Sequence, residues 1–257
     1  MYEKALEVAI QAAKEAGALL RAGLHAQKGA SCKSHRHDPV TLFDRRAEGT
    51  ILARIEEAFP DHGFLSEEGT AKKRRSPYCW VIDPLDGTNN FLRNYPQFAI
   101  SVALQHEQTS VVGCIYDPLR EELFTAIRSS GAFLNGERMQ VSSQASLDGA
   151  LLGAGFSSRP QRAMITHATL KLLIPRARAI RAAGSACLDL AYVAAGRLDA
   201  TWYISLSSWD VAAGILLIEE AGGRVSDLAG NPLIDPETGI LATNRRIHND
   251  MLGVLQR

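Results

Sequence analysis

Trp80-Val81-Ile82-Asp83-Pro84-Leu85-Asp86-Gly87-Thr88-Asn89-Asn90-Phe91 is the stretch on which the reading of this chain turns. The apolar run Cys79 to Ile82 predicts the end of a buried strand. Two aspartates follow, three residues apart. Pro84 restricts Asp83 to extended backbone values, and Gly87 permits a tight turn directly after Asp86. Two carboxylates are thereby held at one mouth of a sheet while the chain reverses. Thr88 stands where a helix could begin, its hydroxyl and the following N–H groups directed at the same place. A divalent cation reconciles acids with such a helix start, because the metal and the N–H groups together hold a phosphate. Asp-Pro and Asp-Gly are also ordinary turn formers, so a plain loop explains this stretch equally well on its own.

Upstream, Leu6, Ile10, Ala13, Ala16-Gly17 and Leu20 recur at helical spacing and predict an amphipathic helix over residues 2–24. Cys32 to Asp38 is polar and irregular. Asp44 stands as the cap of a second helix with the stripe Ala47, Ile51, Ile55 and Phe59, ended by Pro60-Asp61-His62-Gly63. Gly63-Phe64-Leu65 leads as a short strand into Ser66-Glu67-Glu68-Gly69. Downstream, Phe98 to Leu104, Ser110 to Tyr116 and Glu122 to Ile127 read as meandering, antiparallel strands. From Leu151 strands and helices alternate: strand 151–155, helix 161–173, a helix opened by Gly184-Ser185-Ala186, strand 199–204, and a helix begun by Trp209-Asp210. The best boundary lies at residues 142–150, between two packed α+β halves.

The 257 residues, 46% of them hydrophobic, suffice for a substantial core. The 28 basic and 28 acidic residues cancel, so no global charge draws the chain to nucleic acid or anionic membrane. The one basic cluster, Lys72 to Arg75, reads as a solvated loop. Cys32, Cys79, Cys114 and Cys187 are scattered without a Cys-x-x-Cys pair, which fits a reduced, cytoplasmic setting and small buried apolar roles. The charged N-terminal segment is no signal peptide, and no run is long enough to span a bilayer.

Acids stand at several element ends: Glu67-Glu68, Asp83, Asp86, Asp210 and Asp44. Acids so placed are able to converge on one cleft, and an oxygen-only set suits a hard cation, Mg²⁺ before Mn²⁺. Asp210 and Asp44 could each also be a simple helix cap. Glu68 reads as the solvent-facing member of its pair, and the histidines, His35 and His37 among them, as surface residues.

Asp83-Pro-Leu-Asp86-Gly-Thr88-x-Asn-Phe91 and Trp209-Asp210-Val-Ala-Ala-Gly214 resemble, in order and separation, the paired signatures of the inositol monophosphatase family. The likeness extends to Asp38-Pro-Val-Thr41-x-x-Asp44-x-x-x-Glu48, Phe64-Leu-Ser-Glu67-Glu68-Gly69 and Gly184-Ser185-Ala186. It runs from Lys33 to Gly223. The resemblance implies an α+β fold, a layered α/β/α/β/α sandwich shared with fructose-1,6-bisphosphatase. Residues 1–145 would carry most metal ligands, and 146–257 would carry Asp210 and the substrate pocket, in one tightly packed unit. By the same resemblance, Glu67, Asp83 and the Leu85 carbonyl would bind a first Mg²⁺, and Asp83, Asp86 and Asp210 a second. Glu67 would also help hold a weaker third ion or its water. Thr88 with Asp44 would orient and deprotonate the attacking water, while Gly87 and Thr88 receive the phosphate. Lys33 would lie near the phosphate, and Gly184, Ser185 and Ala186 would line the site for the alcohol. Homodimerisation and lithium sensitivity are further implications of the resemblance.

One departure matters. Inositol-phosphate-cleaving members usually carry a glutamate seven residues before the Trp-Asp aspartate; this chain has Tyr203 there, which is able to donate a hydrogen bond or stack but not to act as a charged acceptor. The reading is therefore a Mg²⁺-dependent phosphomonoesterase for a small polyol or sugar phosphate. Fructose 1,6-bisphosphate, 3′-phosphoadenosine 5′-phosphate and histidinol phosphate stay open as substrates. A different class, a non-catalytic factor associated with RNA and transcription, is disfavoured by the neutral charge and the intact acidic set.

Overall fold

Strand-forming runs in the first 140 residues pair into one eight-stranded sheet. The computed structural model describes residues 1–32, 39–72, 76–157 and 159–256. In chain order this half contains α1 (Tyr2–Gly23), β1 (Ser31–Cys32), β2 (Pro39–Val40), α2 (Leu42–Ala58), β3 (Gly63–Ser66), β4 (Ala71–Lys72) and β5 (Tyr78–Asp86). Then come α3 (Thr88–Leu92), β6 (Ala99–His106), β7 (Thr109–Asp117), β8 (Glu122–Ile127), β9 (Gly131–Leu134) and β10 (Glu137–Arg138). The large sheet has the order β10-β9-β8-β7-β6-β5-β3-β4, with only β3 and β5 parallel, and β1 pairs separately with β2. The second half contributes β11 (Leu151–Ala154), α4 (Pro160–Leu173), β12 (Ala179–Arg181), α5 (Ala186–Ala194) and β13 (Ala200–Tyr203). It closes with α6 (Ser208–Glu220), β14 (Arg224–Ser226), β15 (Ile240–Thr243) and α7 (His248–Leu255). Its sheet has the order β12-β11-β13-β15-β14.

Side-chain alternation along the strands sorts these elements into layers. Trp80 and Ile82 of β5, with Ile100, Val102 and Leu104 of β6, face α1 and α2. Val81, Ala99 and Ala103 point the other way, to α5 and α6. The second face is built of small residues, which lets α6 come close: a Cβ on Gly113 would lie 3.1 Å from the Ala213 carbonyl. The small sheet covers the far side of α5 and α6, and α4 and α7 cover its outer face over Leu152, Trp202 and Leu241. The result is the expected α/β/α/β/α sandwich.

Several local expectations change. The buried stripe of α1 is Ala5, Ala9, Ala12, Ala13, Ala16 and Leu20, while Leu6 and Ile10 are only half-buried. Alanine lets α1 lie flat on the sheet, and the larger residues flank it. β5 does not stop at Ile82 but continues through Pro84 to Asp86, with the register to β6 shifted between Asp83 and Asp86. A bulge accommodates a proline, which has no N–H to give to the ladder. His248 is fully buried, against the expectation of surface histidines, and Glu68 is half-buried. Cys114 and Cys187 are buried as expected. His35, His37 and most of the basic cluster lie outside the described residues.

Candidate active site

The bulge in β5 turns Asp83 and Asp86 into one cleft of about 180 Å³. Glu67, from the turn after β3, and Asp210, from the first turn of α6, line the same cleft. Glu67 is set beside β5 by its N–H, which donates to the Ile82 carbonyl over 3.2 Å. Thus four carboxylates from three separated segments converge. Burial first, and then the charges of Glu67, Asp86 and Asp210, hold the Asp83 carboxyl well above the usual carboxylate range.

Asp86 is held differently. Its Oδ2 accepts from the Ser185 hydroxyl and from the Cys187 N–H at 2.8 Å, and its Oδ1 from the Ala186 N–H at 3.2 Å. The open N–H groups at the start of α5 are therefore satisfied by Asp86. Burial pushes the Asp86 carboxyl up to about 6, against the pull of those hydrogen bonds. Ser185 and Ala186 are consequently buried and do not line the cleft; Gly184 does. The sequence reading had all three facing the alcohol.

One wall of the cleft is made by Gly87 and the start of α3, with Asp44 of α2 buried behind Thr88. Gly87, at φ +96°, reverses the chain after Asp86, and a Cβ there would lie 2.9 Å from the Gln97 carbonyl oxygen. Only glycine meets both demands. Thr88 Oγ1 lies 3.0 Å from Asp44 Oδ1 and 3.1 Å from the Leu85 carbonyl, and its one proton serves one acceptor at a time. Asp44 is not the cap of α2. Thr41 is, and Asp44 answers it from the third helical position, accepting from the Thr41 N–H at 2.8 Å and from its hydroxyl. Burial, the largest influence, raises the Asp44 carboxyl pKa, while Thr41 and Thr88 oppose it. Asp210 repeats this arrangement: α6 starts at Ser208, and the Ser207 N–H donates to Asp210 Oδ2 at 2.6 Å. Each acid is a helix-terminus partner; Asp210 also lines the cleft, whereas Asp44 is fully buried and reaches it only through Thr88.

Two expected residues are not placed with the others. Lys33 lies outside the described residues. Tyr203 is buried in the core, and its hydroxyl donates to Asp189 Oδ2 at 2.7 Å rather than facing the cleft. The tyrosine ring lies against Gly155, where a Cβ would come within 1.8 Å of it. That backbone leaves the ring its space, and the buried acid of α5 binds its hydroxyl.

Two participants escaped the sequence reading. The Asn90 amide donates to the carbonyls of Gln97 at 2.7 Å and Ala183 at 2.8 Å, tying α3 to the loop before α5. Cys187 brings its Sγ among the carboxylates of Asp83 and Asp86 and donates to the Asp210 carbonyl at 3.2 Å. Burial, reinforced by three neighbouring acids, pushes this thiol well up, so it is held protonated. The signal for Cys187 was its place in the first turn after Ser185; nothing in the sequence pairs that turn with Asp86.

The inositol monophosphatase family model matches residues 1–257. A relative from Pseudomonas aeruginosa, called Nus factor SuhB, is 42% identical over 98% of this chain and 95% of its own length. An inositol-1-monophosphatase from Synechocystis sp. is also 42% identical, over 96% of this chain and 86% of its own. The chain belongs to the inositol monophosphatase family. With the family come the phosphomonoesterase class and a general dependence on metal. The crystal structure of the extragenic suppressor protein suhB of Bartonella henselae superposes with a TM-score of 0.95 at 38% identity, covering 99% of each chain.

The donor set fits a hard cation. Oxygen ligands converge, no basic side chain lines the cleft among the described residues, and Asp83 is crowded by acids that a divalent ion would neutralise.

Proposed function

We propose that this phosphomonoesterase cleaves the phosphate ester of a small polyol or sugar with Mg²⁺, two to three ions, Mn²⁺ being able to substitute. The convergence of Glu67, Asp83, Asp86 and Asp210 beside the Thr88–Asp44 pair carries this reading. Glu67, Asp83 and the Leu85 carbonyl would hold one ion, and Asp83, Asp86 and Asp210 would hold the other. When bound, Mg²⁺ offsets the charge of the phosphate dianion and makes hydroxide available near neutral pH. Gly87 and Thr88 receive the phosphate at the start of α3. Thr88 passes its proton to Asp44 Oδ1 as its own oxygen takes one from the attacking water, and burial makes Asp44 a better acceptor than an exposed aspartate. The water oxygen bonds to phosphorus as the bond to the alcohol oxygen breaks, in line and without a phosphoenzyme. Gly184 borders the place of the alcohol; Lys33 is assigned a place near the phosphate by resemblance only.

Phosphate release with Mg²⁺ tests this across inositol 1-phosphate, fructose 1,6-bisphosphate, histidinol phosphate and 3′-phosphoadenosine 5′-phosphate. One preferred substrate, silenced by Asp83→Asn, is the expected result; no turnover of any, with the fold intact, refutes it. Inhibition by millimolar lithium is expected in the same assay.

A homodimer is supported by α4, which turns Thr166 and Thr169 inward while exposing Met164 and Ile165, flanked by Phe156 and Ile174. Ile165→Glu should yield a monomer in analytical ultracentrifugation. Residues 1–145 and 146–257 act as one unit, since α5 and α6 of the second half form the middle layer. No helix among the described residues is long and apolar enough to cross a membrane, which accords with a cytoplasmic enzyme. The name of the P. aeruginosa relative favours a second reading, a Nus-factor role beside catalysis. An Asp83→Asn protein that keeps such a role while losing turnover would separate the two.

A further inference from the structure

Glu48 belongs to one of the sequence motifs, yet neither the metal set nor the proton path uses it. It sits four residues after Asp44 on α2, hence on the same face and about 6 Å further along the axis. Its side chain is buried, with only 7% of the residue exposed. Oε2 accepts from the Thr70 hydroxyl at 3.0 Å, and Oε1 is buried without a hydrogen-bond partner among the described residues. A buried carboxylate with an unsatisfied oxygen is costly, so its retention asks for a reason.

The reason lies in what Thr70 holds. Residues 67–70 are the turn between β3 and the edge strand β4. The turn is closed by the Ser66 N–H on the Thr70 carbonyl at 3.0 Å and the Gly69 N–H on the Ser66 carbonyl at 3.2 Å, with Gly69 at φ +92°. Glu67 opens this turn. Its backbone is anchored to β5 through the Ile82 carbonyl. Beyond the turn the chain runs into β4 at the edge of the sheet. We propose that Glu48 is a positioning residue: through the Thr70 hydroxyl it locks the turn that presents Glu67 to the metal. Helix α2 then acts as a rigid bar. Asp44 grips Thr88 beyond the β5 bulge, and one turn later Glu48 grips the loop bearing Glu67. The two sides of the cleft are thereby kept at a fixed separation. A second tether, the exposed Lys72–Glu56 pair at 2.7 Å, lies further out on β4 and adds little.

This proposal rests on Glu67 being a metal ligand, and the test separates the two claims. Thr70→Val keeps the side-chain shape and deletes the donor; Thr70→Ser restores it; Lys72→Met removes the outer tether alone. Outer partners of metal ligands typically govern affinity by 10–100-fold. Direct Mn²⁺ binding by calorimetry should weaken about 10-fold in Thr70→Val, and stay within about twofold of wild type in Thr70→Ser and Lys72→Met. Amide exchange at residues 67–70 should accelerate in Thr70→Val alone. At saturating metal, KM for substrate should be unchanged. Unaltered Mn²⁺ affinity in Thr70→Val, with faster exchange of the turn, overturns the positioning role. Wild-type protein that binds no Mn²⁺ overturns instead the metal reading on which the role depends. A Glu48→Gln variant, whose amide oxygen still accepts from Thr70, should behave as Thr70→Ser does; a 10-fold loss there overturns the hydrogen bond as the mechanism.

Discussion

Replacing Asp189 with asparagine should stabilise the protein at alkaline pH and leave it nearly unchanged in acid. Asp189 is buried on α5, where it accepts the Tyr203 hydroxyl and faces the charge of Asp86. Burial, the dominant influence, pushes its carboxyl from 3.8 up to about 7, with Asp86 adding to the rise and Tyr203 opposing it. A raised carboxyl means that the folded state holds a proton that the unfolded chain releases above pH 3.8. Stability is therefore lost as pH rises from 3.8 to 7, and the full penalty applies above 7. At about 1.36 kcal/mol per pH unit the penalty is about 4 kcal/mol. Asparagine keeps an acceptor for Tyr203 and carries no charge. If local relaxation spares half of the penalty, about 2 kcal/mol of stabilisation remains, or about 4–8 °C in Tm for a chain of this size. Thermal melts of both proteins at pH 8 and pH 4.5 provide the assay. Titrating groups remote from Asp189 are common to the two proteins and cancel in the difference, and Asp86, which couples to Asp189, adds only a smaller change. An equal Tm change at the two pH values, or destabilisation at pH 8, would refute the reasoning.

Other perturbations have equally definite outcomes. Thr88→Val and Asp44→Asn should each lower kcat by about 10²–10⁴ while KM changes little, since both act on the proton path; steady-state kinetics decides. Gly87→Ala combines a left-handed φ of +96° with a Cβ 2.9 Å from the Gln97 carbonyl oxygen, so it should cost about 2 kcal/mol or more in urea melts and impair turnover. His248 is buried between the hydroxyls of Thr243 and Ser226, and burial depresses its imidazole to about 4. Stability from the neutral ring is then complete above pH 6.5 and is lost as pH falls toward 4. His248→Gln should flatten that part of the stability profile by about 2–3 kcal/mol, seen in urea melts from pH 7 to pH 4.

What the sequence made legible was local. The proline and glycine around Asp83 and Asp86 restrict the backbone within a few residues, and the acids they place do meet in the cleft. The strand β8 matches its predicted span, Glu122–Ile127, because β-branched and aromatic residues alternate between clear turns. What stayed hidden depended on partners far along the chain. Short strands such as β12 and β14 have no periodicity of their own and exist because β11 and β15 lie beside them.

The second half of the site shows the same division more sharply. Gly184-Ser185-Ala186 reads correctly as a helix start, and a helix start with free N–H groups reads as a place for a ligand. Yet the anion that occupies it is Asp86, about a hundred residues earlier, and the N–H groups that looked available are spent in fixing a cleft acid. Tyr203 follows the same logic. Its position in the chain points to the cleft, but the acid that its hydroxyl meets, Asp189, lies in the first turn of that helix. Asp86, bound at the N-terminus of α5, and Asp189, within it, are two raised carboxyls near each other, and both rise chiefly because they are buried. Helix α5 thus serves less as a wall for the alcohol than as the support that sets how strongly Asp86 carries its charge. Beside the acids, the residues that line the cleft are Pro39, Leu85, Gly184 and, around the start of α3, Gly87, Thr88 and Asn89.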